Sequence, residues 1–169
     1  MRTLALALAT TTLLAAPTTA FASTWDLDAS HADVAFSVRH MMVSNTKGRF
    51  SGVKGVLEVD DKDITKSKID VEIDVNTIDT RDAKRDEHLK SPDFFDVAKF
   101  PKMTFKSKSV TKAGAGLKVA GDLTIHGVTK PVVLDATVTE PVKTPFGTTV
   151  RAVSASTKIN RKDFGLTWN

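Results

Sequence analysis

The sequence predicts an all-β fold in which antiparallel strands, wet on one face and dry on the other, curl into a barrel with an apolar interior. Three observations carry that expectation. Apolar and polar residues alternate with period two through most of the chain. Short segments bearing Gly, Asp or Pro separate the alternating runs. Only one region, opening at Arg81, breaks the alternation and reads as helical.

Each element follows from local pattern. Val34, Phe36 and Val38 alternate with Ala35, Ser37 and Arg39. Residues 47–59 form one long run interrupted by Gly48, Gly52 and Gly55, where bulges or sharp coiling are expected. Asp60-Asp61-Lys62-Asp63 ends that run as a turn. In Ile69-Asp70-Val71-Glu72-Ile73-Asp74-Val75, β-branched side chains point one way and carboxylates the other. Met103 and Phe105 alternate with Thr104 and Lys106. Ala113-Gly114-Ala115-Gly116 connects to a run in which Leu117, Val119, Leu123 and Ile125 keep one parity around Gly121. His126-Gly127-Val128-Thr129 turns the chain into Val132, Leu134, Ala136 and Val138, which alternate with Val133, Asp135 and Thr137. Residues 141–147 make a longer loop, after which Val153, Ala155, Thr157 and Ile159 alternate with Ser154, Ser156 and Lys158. A face that is polar at every second position meets water, so these are half-buried antiparallel strands rather than the continuous apolar runs of a parallel sheet. About seven or eight strands result, mostly joined to sequence neighbours.

The exception lies between Arg81 and Phe100. Residues 81–90 are charged, lack β-branched side chains and read as a short helix. Ser91-Pro92-Asp93 has the look of an N-cap followed by proline at the first helical position, and Phe94-Phe95 and Phe100-Pro101 complete the excursion. Such an insertion between antiparallel strands is a natural lid over one end of a barrel.

The N-terminus bears on compartment. Arg2 precedes an apolar run from Leu4 to Ala16, and Ala20-Phe21-Ala22 forms a small-x-small box before Ser23. Residues 1–22 therefore read as a cleavable signal peptide, implying export to the periplasm, with an uncleaved anchor as the alternative. The apolar run is short of the roughly 20 residues a membrane span needs, and no later run approaches that length, so no integral membrane segment is expected. Residues 23–169 form one domain, long enough to bury about two thirds of its unfolded surface.

Composition removes several function classes. With no cysteine there is no disulfide, thiol nucleophile or Cys-ligated metal site. The mature chain carries 23 basic and 20 acidic residues, a balance of +3 too small and too evenly mixed for nucleic-acid binding. His31, His40, His88 and His126 lack any local ligand spacing, so no metal, no cofactor and no catalytic residue is expected. Arg85 and His88 share a helical face and could meet a polar group at a barrel mouth. The plainer reading is a solvated helix with Asp82–Arg85 or Asp86–Lys90 ion pairs. Phe94, Phe95 and Phe100 could line a pocket, although clustered aromatics are more often core.

Specific strings add to this. They are Trp25-Asp26-Leu27-Asp28, Ser30-His31, residues 34–40 (VAFSVRH), Gly48-Arg49-Phe50, residues 85–89 (RDEHL) and residues 93–96 (DFFD). Further along come Phe100-Pro101 before Met103-Thr104-Phe105, residues 121–132 (GDLTIHGVTKPV) and residues 160–166 (NRKDFGL). Together they resemble the YceI family, periplasmic polyisoprenoid-binding proteins, across essentially all of residues 24–169. The resemblance implies a lipocalin-like, extended, eight-stranded antiparallel barrel. Its interior would hold an isoprenoid-type or other long-chain lipid, of the polyprenyl or prenyl-quinone class, without catalysis. Phe36, Val38, Phe50, Ile73, Phe94, Phe95, Met103, Phe105 and Leu134 are then the expected tunnel lining. His40, Arg85, His88, His126 and Arg161 are the expected rim, near the head group. His126 also suits a plain turn-stabilising role, and Arg161 could pair with Asp163 at the C-terminal corner.

Chains of this type continue past Trp168-Asn169 into a strand that closes the barrel. The sequence stops there, so either it is truncated or the protein ends early; an absent closing strand would leave two unpaired edges and a slot in the wall, with a homodimer as one outcome. Two other functions stay open at this point: a secreted enzyme acting on a lipid or small molecule through His and Asp groups near the lid, and a stress-protective interaction protein using an exposed edge strand.

Overall fold

Alternation becomes strand nearly throughout the computed structural model, which describes residues 22–40 and 43–168. One antiparallel sheet contains β1 (Ala22–Asp26), β2 (Val34–His40), β3 (Ser44–Asp60), β4 (Lys68–Asp79), β5 (Lys102–Ala113), β6 (Gly116–Ile125), β7 (Val128–Val138) and β10 (Val153–Ser156). β8 (Val142–Lys143) and β9 (Thr149–Val150) pair only with each other. The segment read as a signal peptide lies outside the described residues, apart from Ala22, the first residue of β1.

Strand order follows chain order from β3 to β7, with β10 added beside β7. The long β3 carries two partners on its other side. β1 pairs with Val56–Asp60, and β2 pairs with Ser44–Phe50. Although β1 and β10 belong to opposite edges, Arg151, two residues before β10, places its guanidinium 4.7 Å from the Trp25 ring of β1. The sheet therefore curls far enough for a side chain beside one edge strand to reach a ring on the other. The architecture is a curled antiparallel half-barrel, and among the described residues no strand ladder crosses the seam.

Two buried clusters fill the concave side. Phe50, Val53, Ile73, Val75, Ile78, Met103, Ile125, Phe164 and Leu166 form the larger one, toward the lid. Phe105, Val110, Val119 and Ala136 form the smaller. Leu123 and Val132 pack against both, so the apolar interior is continuous along the strands. On the convex side the alternating charges pair across strands: Lys102–Glu72 at 2.9 Å, Lys106–Asp70 at 3.7 Å, Lys108–Asp122 at 2.7 Å, and Lys118 with Asp135. Such exposed pairs contribute only a few tenths of a kcal/mol each. Their larger role is to keep that face wet and the register unambiguous.

The expected irregularity of β3 is real but shared with its neighbour. Between Phe50 and Gly52 the register against β4 jumps from Ile78 to Asp74, so the extra residues bulge from β4. Thr77 locks this bulge, its hydroxyl donating to the Asp74 carbonyl and accepting from the Gly52 N–H. The parity of β4 changes there, which is why both Val75 and Ile78 are buried. Gly121 answers a different need. A Cβ at that position would lie 2.4 Å from the Lys106 carbonyl oxygen and 2.6 Å from the Phe105 ring. Gly121→Ala should therefore cost about 1–3 kcal/mol as an overpacking change, seen as a lower urea midpoint with an unchanged slope.

Three expectations need correction. Ser91 does not start a second helix; it caps the C-terminus of α1 (Ala83–Lys90), its N–H and hydroxyl both donating to the His88 carbonyl. Residues 92–99 turn instead, through Asp96 at φ 46°. β10 is exposed at every residue rather than half-buried, because an edge strand beyond the core has nothing to cover its apolar parity. β1 and the β8–β9 pair were not anticipated: five and two residues carry too few repeats to reveal a period.

Candidate functional site

The interior of the half-barrel and the rim at its lid end are the places where the sequence-derived residues converge. The lid hangs from a tight corner after β4. Arg81 takes φ 62°, its N–H donating to Asp79 Oδ1 at 2.8 Å, and Asp82 caps α1 by accepting from the Lys84 and Arg85 N–H groups. Asp86 Oδ1 accepts from both the N–H and the hydroxyl of buried Thr80, at 2.9 and 2.6 Å. Arg85 bonds the same residue, Nε to the Thr80 hydroxyl at 2.7 Å and Nη2 to its carbonyl at 2.8 Å. Arg85 is thus a strut between lid and sheet, with Asp82 3.9 Å away. Lys90 pairs with Glu87 rather than with Asp86.

Of the expected lining, Phe50, Ile73 and Met103 are buried in the larger cluster, with Phe36 and Phe95 packed against it. Phe50 meets Phe36 at 5.5 Å and Phe95 edge-on at 5.8 Å, so the lid contributes directly to the interior. Phe105 and Leu134 belong to the smaller cluster. Val38 departs from expectation: it is 44% exposed and outside both clusters. Val38 pairs with Thr46, on the stretch of β3 that runs beyond the last β3–β4 partner, Arg49.

Phe94 is also outside both clusters and belongs to the rim. Its ring lies 5.1 Å from His88 and 5.1 Å from Trp168, while His88 and Trp168 meet edge-on at 4.6 Å. His88 Nε2 pairs with Asp93 Oδ2 at 3.0 Å. Arg161 stands 5.9 Å over Phe94 and donates Nη1 to the carbonyls of Leu166 and Trp168 at 2.8 and 2.6 Å. The C-terminal corner is therefore fixed by backbone carbonyls, and Asp163 instead accepts from Asn160 Nδ2. His126 occupies a left-handed position, φ 51°, in the two-residue turn with Gly127, and its ring packs edge-on against Phe100 at 4.6 Å. His40 ends β2, and its side chain lies outside the described residues.

Sequence reasoning missed Phe164, Leu166 and Trp168. Phe164 is 2% exposed and Leu166 5%, both inside the larger cluster. Asn160 caps a 3-10 turn over Arg161–Phe164, and Gly165 ends it at φ 80°. An Asn cap followed by Phe-Gly was the available signal.

Asp28, Ser30 and His31 have the composition of a nucleophilic triad but not its geometry. Ser30 Oγ and Asp28 Oδ2 both approach the same ring nitrogen, Nδ1, at 3.0 and 2.9 Å, so no relay crosses the imidazole. The Ser30 hydroxyl, followed by His31, holds the Asp28 carboxyl at about 2 instead of the ordinary 3.8. A depressed carboxylate stabilises the fold above the ordinary value and loses that contribution as pH falls through about 2. Carbon-detected titration of Asp28 should place it there, and Ser30→Ala should move it back toward 3.8.

The chain is similar to known proteins over nearly its whole described length. A family model described as a YceI-like domain matches residues 25–169. "Protein YceI" of Salmonella newport strain SL254 is 41% identical over 142 residues, 84% of this chain and 74% of that protein. The crystal structure of the Campylobacter jejuni YceI protein superposes with a TM-score of 0.67 at 37% identity, covering 83% of both chains. Burkholderia cenocepacia BcnA does so with a TM-score of 0.73 at 26% identity, over 82% of this chain and 84% of that one. With its curled sheet, apolar interior and aromatic rim, the chain belongs to the YceI-like family.

Proposed function

We propose that this protein is a non-catalytic binding or carrier protein, exported to the periplasm, that holds one isoprenoid-type or other long-chain lipid of the polyprenyl or prenyl-quinone class. The observation that carries the reading is the continuous apolar interior, joined through Leu123 and Val132 and capped at one end by a lid. Strands of ten to twelve residues span about 33–40 Å, and a tilt of about 40° gives that interior a length of roughly 25–30 Å. Such an interior offers dispersion and water exclusion, and each buried methylene contributes about 0.8 kcal/mol. The Phe50–Phe95 contact, made between sheet and lid, is where a chain would enter. The polar end would then lie among His88, Arg161 and Trp168, where a cation, an imidazole and aromatic faces adjoin.

Organic extraction of gently purified protein, followed by mass spectrometry, tests this. An apolar chain in one-to-one amount is expected. Protein that yields none and takes up no added prenyl lipid would sink the reading.

A further inference from the structure

At the end of the sheet remote from the lid, a cleft of about 220 Å³ opens between the turn after β3 and the chain leaving β7. Arg151 lines it. The Arg151 side chain is only 7% exposed, yet its buried Nε–H meets no acceptor among the described residues. Its ionic partner, Asp61, is 3.8 Å from Nη2, beyond hydrogen-bond distance, and its other close neighbour is the Trp25 ring face. A buried guanidinium left this poorly paired is costly, because water has been removed from donors that nothing replaces.

The surroundings say what kind of acceptor fits. Asp60, Asp61 and Glu140 line the same cleft with Arg151, so an arriving anion faces three carboxylates against one cation. The Asp60 carboxylate is engaged with the Lys62 and Asp63 N–H groups and cannot swing to serve Arg151 without breaking them. An arriving cation is drawn by that excess of carboxylate, but it carries no acceptor and leaves the Arg151 Nε–H unanswered. The remaining wall is apolar, from Val59, Ile64, Leu117 and Val138.

We propose that this cleft is a second binding site, distinct from the lid-end rim. It takes a molecule that presents a neutral oxygen acceptor, such as a ketone or amide carbonyl, beside an apolar body. Arg151 is the donor, and the Trp25 face holds its guanidinium in place. The site does not depend on the carrier reading, since a small carbonyl compound and the polar end of a chain share the same recognition chemistry.

Nitrogen-15 spectra of the full chain resolve the test, with the Arg151 Nε–H and Trp25 indole N–H as reporters and the Trp168 indole as the remote control. Titration with 2-octanone should shift both reporters saturably and leave Trp168 still. Octanoate should bind at least about tenfold more weakly, and octylammonium, which has no acceptor, should not reproduce the Arg151 Nε–H shift. Arg151→Met should weaken 2-octanone by about tenfold or more, the scale of one charge-assisted hydrogen bond. Asp61→Asn, which keeps Arg151, should narrow the gap between octanoate and 2-octanone, and it carries the test if Arg151→Met does not fold. Acetone separates the sources: equal affinity assigns the site to small carbonyl compounds, and affinity rising with chain length assigns it to the end of a chain. No saturable shift, octanoate binding as tightly as 2-octanone, or Arg151→Met binding like the parent would overturn the proposal.

Discussion

Phe164→Ala should unfold the protein about 3–5 kcal/mol more easily than the parent, the range for deleting a fully buried phenylalanine. Phe164 is 2% exposed and closes the lid end of the core from a segment that follows the last strand of the sheet. The cavity would have few ways to collapse. Its walls are the paired strands β3 to β6, and the turn that delivers Phe164 is held by Asn160, Gly165 and Arg161. For a domain of this size the melting temperature should fall by roughly 6–20 °C. Phe164→Leu should recover a large part of the loss. If Phe164→Ala melts within a degree or two of the parent, the C-terminal turn is not docked in solution as described.

Asp86→Ala should be the most damaging change on the lid. The carboxylate accepts two hydrogen bonds from Thr80, itself only 4% exposed. Removing it strands a buried N–H and weakens the fixing of the hydroxyl, at about 1–3 kcal/mol for each unsatisfied group. The effect reaches further because α1 is eight residues, none buried, and too short to be stable alone; its other ties are the Arg85 bonds to Thr80 and the packing of Leu89 on the larger cluster. Hydrogen exchange of the α1 amides should accelerate by roughly tenfold or more, while the strands β5 to β7 remain protected. Asp86→Asn keeps an acceptor oxygen and should lie between the two. Under the carrier reading, the loosened lid also predicts faster uptake and release of bound lipid. Exchange unchanged in Asp86→Ala would show that Arg85 alone suffices as the strut.

How far the fold was legible depended on how many repeats each element contained. β4 shows its period through Ile69, Val71, Ile73 and Val75, and the structure keeps those side chains on one face until the bulge at Thr77. β10 offered the same alternation in Val153 and Ala155 and is exposed throughout, because alternation says which side chains share a face and not whether anything covers it. Val38 fails for the same reason.

The lid illustrates the second limit. Charge and the lack of β-branched residues marked α1, but its neighbours decided what its side chains do. From the sequence Arg85 could have faced a ligand or, on the plainer reading, paired with Asp82 on a solvated helix; the proximity of Thr80 makes it a strut.

What the sequence by itself determined is the all-β class, the order and parity of the long strands, the turns between them and the helical interruption. All of these are local, written in residues two to four apart. What only the tertiary structure decided is the curl and everything that depends on it. A sheet that bends until Arg151 reaches Trp25 brings together residues that lie 126 positions apart, which no local period records. The same curl converts dry faces into one interior and seats Phe164 at its end. It also leaves at the far end a buried guanidinium whose missing partner the sequence could not reveal, because burial is a property of the closed shape.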